Sequence, residues 1–145
     1  MVEIEGYNLP DDLYYTDRNL WVKMEADGTA KIGFNDLAQK LIGKIMFVRL
    51  PKEGTVLEQG KDFGTVESMK WVERLKAPLS GTVIEVNKDL RMKPKIIHDD
   101  PYGAGWFLRI KPSNTAELNN LIHGDAIRPF LQKEIEERVK KAKKT

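Results

Sequence analysis

Glycines at positions 54, 60, 64 and 81 divide the middle of this chain into short runs of β-forming residues. Valine, isoleucine, threonine and phenylalanine favour a pleated strand, and glycine allows the chain to reverse direction between strands. Gly54–Glu58 also has the same pattern as Gly81–Glu85, a weak repeat that would suit two related halves of a sandwich. The spacing predicts a mainly β protein with strands over Thr55–Leu57, Phe63–Glu67, Val72–Ala77 and Thr82–Val86.

Turn and capping signals extend this pattern towards the N-terminus. The dipeptide Asp-Gly at 27–28 lies between two runs of alternating apolar residues, which predicts a hairpin over Leu20–Phe34 with a tight primed turn. Asn35 or Asp36 can cap a short helix that ends at Gly43. Two more strands are predicted before prolines, Ile45–Leu50 before Pro51 and Trp106–Ile110 before Pro112.

Helical signals follow in the C-terminal quarter. Asn114 and Glu117 have the spacing of a capping box, and a second helix is predicted from about Pro129 to Lys141. We therefore expect two antiparallel sheets packed as a flattened sandwich or barrel over residues 1–113. Residues 114–145 are expected to form helices that pack on this β-domain or extend from it.

The second of these helices has one narrow apolar stripe, formed by Leu131, Ile135 and Val139. Docking on the β-domain or on a second copy would bury the stripe. A solvated terminal helix is preferred over a helix that binds a partner. The Lys-rich end, Lys140–Thr145, is expected to fray in solvent. Opposite charges lie four residues apart along the helix, at Glu134 and Arg138, Glu136 and Lys140, and Glu137 and Lys141.

Composition excludes several classes of protein. The 24 basic and 22 acidic side chains leave a net charge of +2, which gives no strong field for nucleic acid or an anionic membrane. Without cysteine, the chain has no disulfides, thiolate metal sites or catalytic thiol. Met1–Pro10 lacks the pattern of a signal peptide, and no apolar run approaches the ~20 residues that span a bilayer. We expect a cytoplasmic protein.

The sequence does not indicate an enzyme. Its only histidines, His98 and His123, lack a second base or ligand at a recognised spacing. The glycines of Gly103–Gly105 precede a predicted strand, where a dinucleotide-binding loop would precede a helix. Any redox chemistry of sulfur would therefore need a cofactor.

The segment Phe63–Val72 has the most specific pattern in the chain. Its Glu67-Ser68-Met69-Lys70 follows a Gly-x-Val strand and resembles the lipoylation site of the H protein family of the glycine cleavage system. Similarity to that family extends over roughly residues 13–130, including Trp21-Val22, Ile32-Gly33, Phe47-Val48-x-Leu50-Pro51, Ala77–Asn87 and Asp99–Trp106. The resemblance implies a lipoyl/biotinyl-type sandwich, also called a hybrid barrel-sandwich, with lipoate attached covalently to Lys70 as N6-lipoyl-lysine.

A swinging carrier needs its attachment amine exposed on a rigid projection, and lysine suits this role because a four-carbon stem extends its reach. Two β-rich runs flank Lys70, as a hairpin tip requires, although Ser68–Trp71 contains no Gly, Asn or Pro to mark a turn. The resemblance implies that Glu67 and Ser68 shape the tip or are recognised by the modifying enzyme. Met69 and Trp71 complete the tip, where Trp71 would cover part of the hairpin. An unmodified surface lysine is the ordinary alternative.

Family membership would imply a non-catalytic carrier that shuttles the aminomethyl group of glycine. Its implied partners are glycine decarboxylase, aminomethyltransferase and dihydrolipoamide dehydrogenase, with lipoate ligase or lipoyl synthase loading the lysine. By fold analogy, a surface groove near Asn19, Leu20, Trp21 and Asp36 would shelter the loaded arm from water.

The sequence departs from the H protein pattern in three places. Asn19-Leu20 stands where these proteins usually have His-Glu, and the C-terminal helix extends beyond their usual end at about residue 131. Lys70-Trp71-Val72 looks more like the H-like lipoate-binding proteins of heterodisulfide-reductase-like sulfur oxidation. Glycine cargo is preferred over sulfur cargo because more of the chain matches, and an unmodified or lipoyl-relay paralogue is a third alternative. Trp71 argues against a biotin carrier, which typically has methionine on both sides of its lysine.

Overall fold

The computed structural model describes residues 1–141, and within them eleven strands form three antiparallel sheets. The strands are β1 (Val2–Ile4), β2 (Tyr7–Leu9), β3 (Tyr14–Tyr15), β4 (Leu20–Met24), β5 (Ala30–Phe34), β6 (Ile45–Arg49), β7 (Val56–Leu57), β8 (Asp62–Ser68), β9 (Val72–Lys76), β10 (Gly81–Val86) and β11 (Leu108–Pro112). The α-helices are α1 (Asp36–Ile42), α2 (Asp89–Met92), α3 (Ile96–Asp99) and α4 (Ile127–Glu134). Most of the Lys-rich end, whose fraying was predicted, lies outside the described residues.

Two of the sheets face each other across a shared core. The larger has the strand order β3-β4-β5-β11-β10-β7, the smaller β6-β8-β9, and β1 and β2 form a separate hairpin. Val22 and Ile110 from the larger sheet are fully buried in one cluster with Val66 and Leu75 from the smaller one. This two-layer arrangement confirms the predicted mainly β antiparallel fold. The two copies of the repeated Gly-Thr-Val pattern are neighbours, since β7 pairs with β10.

The first hairpin is confirmed, since β4 pairs with β5, but the prediction of a primed turn is wrong. A type I′ turn needs positive φ at both central residues, and in this turn only Gly28 has one. The backbone N–H of Gly28 donates to the carbonyl of Glu25, while the carboxylate of Asp27 accepts from the N–H of Thr29. This side-chain bond favours a turn in which Asp27 keeps a negative φ. The primed pair occurs instead between β1 and β2, where Glu5 and Gly6 have φ of 50° and 87°.

The predicted strand Trp106–Ile110 also shifts, because β11 runs from Leu108 to Pro112. Its pairing with β5 stops at Ile110, so Pro112 lies beyond the point at which that neighbour would require a backbone N–H. On the other side Pro112 faces Gly81 of β10. Pro112 is therefore the last residue of the strand it ends, and not the first residue after it.

The capping-box prediction is only half correct. Asn114 caps a 3₁₀ helix over Thr115–Asn120 by accepting from the N–H of Ala116. The carboxylate of Glu117 does not complete the box, because it accepts hydrogen bonds from the N–H and hydroxyl of Ser80, each at 2.8 Å. Glu117 thus links the C-terminal segment to Ser80, the residue that precedes β10.

The last helix is docked, and the preferred solvated interpretation is wrong. α4 continues as a π-helical segment over Ile135–Lys140, and Ile127, Leu131 and Ile135 are buried. They pack in a second cluster with residues of the N-terminal hairpin, of β3 and the loop before it, of β4 and of α1, namely Val2, Leu9, Leu13, Tyr15, Trp21 and Leu37. The apolar stripe is covered by the chain's own N-terminal part. None of the helices within residues 1–141 has the length and apolar character needed to cross a bilayer.

Candidate functional site

Lys70 lies at the exposed end of the hairpin formed by β8 and β9. We call residues Ser68–Trp71 the tip. Met69 and Trp71, on either side of Lys70, expose 73% and 55% of their surface, so Trp71 does not cover the hairpin as predicted. Glu67 is half-buried in β8, and Ser68 is buried. The tip therefore presents a lysine between two large apolar side chains.

The Ser68 hydroxyl supplies the turn that no glycine, asparagine or proline marks. Its oxygen accepts from the backbone N–H groups of Lys70 and Trp71, at 3.1 and 3.2 Å, and the hydroxyl donates to the carbonyl of Trp71 at 3.3 Å. A hydroxyl has one donor and two acceptor positions, so all three are in use. The backbone N–H of Ser68 also donates to the Trp71 carbonyl. Serine side chains form such local turns, and this is the signal that the sequence analysis missed.

A second support comes from the segment that links α1 to β6. The carbonyl of Lys44 accepts from the N–H of Met69 at 3.1 Å, and Ile45 pairs with Ser68. The preceding residue, Gly43, ends α1 with φ 81° and ψ −164°, a conformation available essentially only to glycine. The stem of Lys70 lies over this bare backbone, with Cδ and Cε each 3.7 Å from the position that a Gly43 Cβ would occupy.

His98 also contacts the segment between α1 and β6, through a hydrogen bond to Ile45. Its Nε2 accepts from the backbone N–H of Ile45 at 3.2 Å, so the imidazole is neutral and its proton is on Nδ1. That proton points to the Oε1 of Gln39 in α1, 2.9 Å away. Burial lowers the pKa of His98, in agreement with the neutral form. Both histidines have structural contacts, because the ring of His123 packs against the ring of Tyr14 at a tilt of 52°, with the centroids 5.0 Å apart.

The residues predicted to line a sheltering groove are not at the surface. Leu20 and Trp21 are almost fully buried, and Trp21 donates from Nε1 to the carbonyl of Pro101. Asn19 donates from its side-chain amide to the Glu134 carboxylate at 2.7 Å, and Asp36 accepts from the N–H of Asn8. We call the surface of Asn19, Trp21 and Leu37 under α4 the covered face. The groove prediction is wrong because these side chains pack against other parts of the chain.

The chain matches the family model described as glycine cleavage H-protein over residues 13–134. It is 43% identical over 119 residues to the glycine cleavage system H protein of Chromobacterium violaceum, an alignment that spans 82% of this chain and 93% of the relative. It is 42% identical over 129 residues to the probable glycine cleavage system H protein 2 of Saccharolobus solfataricus, with 87% of each chain covered. A crystal structure of the H protein from Mycobacterium marinum is also similar, at 33% identity and a TM-score of 0.69, covering 77% of this chain and 97% of that one.

The chain belongs to the glycine cleavage H-protein family. This result confirms the resemblance found in the sequence, and it supports a carrier of the H-protein type as the general function. The match to the family model ends at residue 134, so it includes Asn19 and stops at Glu134, the residue that binds it. The departure from the usual H protein pattern at Asn19 is therefore in contact with a residue of the C-terminal helix that still lies within the family match.

Proposed function

We propose that this chain carries the aminomethyl group of glycine on a lipoyl arm linked to Lys70. The arm would move between glycine decarboxylase, aminomethyltransferase and dihydrolipoamide dehydrogenase. The strongest support is the position of Lys70, exposed at the end of a hairpin whose backbone is fixed by one buried hydroxyl. The glycine pathway is favoured over sulfur oxidation because the named relatives are glycine cleavage system H proteins.

The surroundings of Lys70 suit conversion of its amine to an amide. Within residues 1–141, no carboxylate lies within 4.0 Å of its Nζ, so modification would break no ion pair. Amide formation removes the positive charge of the amine, which allows the modified stem to lie against neighbouring apolar side chains. Such side chains are available on both sides, in Met69 and Trp71.

The chain's own residues would present the arm and leave the chemistry to it. Ser68 and the Lys44 carbonyl hold the tip backbone, and Glu67, Met69 and Trp71 are available for recognition by lipoate ligase or lipoyl synthase. When attached, lipoate supplies the disulfide and dithiol chemistry that this cysteine-free chain lacks. Rigid presentation matters because several enzymes must find the same amine in the same place.

The first test is the intact mass of the protein purified from its own cells, followed by peptide mapping. We expect one lipoyl group, located on Lys70. Lys70→Arg should fold normally and lack the group, whereas Lys44→Arg, an exposed lysine on the supporting segment, should keep it. An unmodified wild-type protein, or a lipoyl group on another lysine, would refute the attachment site.

The second test concerns the cargo. Lipoylated protein is mixed with glycine decarboxylase, and exchange of labelled bicarbonate into glycine is followed. We expect exchange that saturates with carrier concentration and disappears in Lys70→Arg. If a decarboxylase that works with another H protein gives no exchange with this one, the glycine assignment fails and the sulfur alternative takes its place.

A further inference from the structure

An open groove of about 870 Å³ lies beside the tip hairpin. One wall is the segment Phe47–Glu53, from β6 and the loop after it. The other is lined by Val86, Asn87, Lys88, Leu90 and Arg91, from the end of β10 to α2, while exposed Asp89 lies outside the lining. Its apolar lining includes Val48, Leu50 and Pro51, which are partly exposed. Nothing in the proposed function so far uses this groove.

The groove is positively charged. Arg49, Lys52, Lys88 and Arg91 line it and are exposed, and Glu53 is its one acidic residue. In the described part of the chain, none of these four cations lies within 4.0 Å of a carboxylate. Unpaired charge of one sign along a groove attracts a ligand of the opposite sign.

A row of three paired residues, apolar at both ends and acidic in the middle, connects the groove to the tip. Phe47 is 57% exposed, lines the groove, and pairs across the smaller sheet with Glu67, which pairs in turn with Val72. Directly paired residues point to the same face of a sheet, so Phe47, Glu67 and Val72 lie side by side. Glu67 is three residues before Lys70, so their Cα atoms are at most roughly 10 Å apart. An enzyme that takes the tip into its active site would cover this row.

We propose that the groove is a docking site for an acidic surface of glycine decarboxylase, next to the entrance through which the decarboxylase receives the arm. The inference rests on the proposed function and names the surface by which that partner is bound. A protein surface is a better occupant than a free anion, because two exposed apolar side chains, Phe47 and Val72, lie on either side of half-buried Glu67 next to the cationic groove. Apolar and aromatic residues together with arginine are typical of protein interfaces.

The test measures the KM and kcat of bicarbonate exchange for lipoylated carrier variants with glycine decarboxylase. Lys52→Glu/Arg91→Glu reverses one charge on each wall of the groove. Arg128→Glu/Lys133→Glu makes the same change in net charge at exposed positions on α4. At low salt we expect the groove variant to raise KM about tenfold with kcat unchanged, and the α4 variant to raise it by less than about twofold. Added salt should raise the wild-type KM and reduce the difference.

Several results would overturn the docking site. An equal rise in KM for both double variants would mean that only net charge matters. A fall in kcat at constant KM for the groove variant would show that the groove does not contribute to binding of the decarboxylase. Near-ultraviolet circular dichroism checks that each variant is folded, and the intact mass checks that it carries the lipoyl group. If a double variant does not fold, the single variant Lys88→Glu replaces it, with an expected rise in KM of about threefold. A lipoylated wild type without exchange refutes the proposed function itself, whereas normal exchange with an unaffected groove variant refutes the docking site alone.

Discussion

The tip and the covered face differ in which part of a residue is exposed and in which contacts fix it. At the tip, Met69 and Trp71 are mostly exposed, yet the backbone between them is fixed by the Ser68 hydroxyl and the Lys44 carbonyl. On the covered face, Asn19 is 5% exposed and donates a hydrogen bond to Glu134 of α4, which is 6% exposed. Exposure at the tip is therefore not a lack of order, and burial on the covered face is not purely apolar. The first arrangement leaves an amine accessible, and the second joins the C-terminal helix to the rest of the fold.

The largest difference should appear when one apolar side chain is shortened in each region. Leu131→Ala on α4 should lower the free energy of unfolding by about 2–5 kcal/mol, because it leaves a cavity in a buried cluster. Met69→Ala at the tip should change it by less than about 0.5 kcal/mol. Urea denaturation measures both. Similar losses for the two variants would mean that the tip packs as tightly as the helix.

The polar contact on the covered face should come next in size. Glu134→Leu leaves the buried amide of Asn19 without its acceptor and should cost about 1–3 kcal/mol of unfolding free energy. Glu134→Gln retains an acceptor oxygen and should cost less. Both variants should still be lipoylated at the wild-type rate, and slow lipoylation of folded Glu134→Leu would contradict the independence of the two regions.

A smaller change in stability is expected at the tip, with a clear effect on modification. Ser68→Ala removes a hydroxyl that makes three hydrogen bonds and should cost about 0.5–1.5 kcal/mol. Because the tip backbone loses its fixed geometry, lipoylation by a purified ligase should also slow. Ser113→Ala, at an exposed serine, is the control for loss of a hydroxyl. Equal lipoylation rates for the two variants would show that Ser68 does not shape the tip for its ligase.

The smallest effect should come from pH at His98. Since burial holds its pKa below the unfolded value of about 6.5, the unfolded chain binds the proton first as the solution is acidified. The stability contributed by neutral His98 is thus complete above about pH 6.5 and is lost as the pH falls towards the folded pKa. Wild type should lose more stability than His98→Gln between about pH 8 and 5. The exposed control variant His123→Gln should follow the wild type; parallel curves for wild type and His98→Gln would contradict this account.

The sequence predicts those elements whose signals are local. Asn35 caps α1 as expected, by accepting from the N–H of Ala38, and Gly43 ends it. The strands on both sides of Lys70 were also predicted, but the turn between them depends on a serine side chain that bonds its own backbone neighbours. Such a turn has no glycine or proline to mark it.

The N-terminal hairpin was not predicted because it turns at Glu5 and Gly6, a pair less typical of primed turns than Asn-Gly or Asp-Gly.

Other features depend on contacts between distant parts of the chain. The docking of α4 depends on an N-terminal surface that only exists in the folded protein, so its apolar stripe alone could not distinguish docking from exposure. The same contacts bury the residues that fold analogy assigned to a groove, including Asn19.

Because residue 43 is glycine, the outer part of the Lys70 stem, Cδ and Cε, lies against main chain and not against a side chain. Side chains change rotamer, whereas a backbone held between a helix end and a strand has few soft torsions. The range of directions available to a group on Lys70 is then set by the torsions of the lysine and of the group itself. A methyl group at position 43 would meet the lysine stem only at ordinary contact distance, so its main cost would be strain in a backbone with φ of 81°.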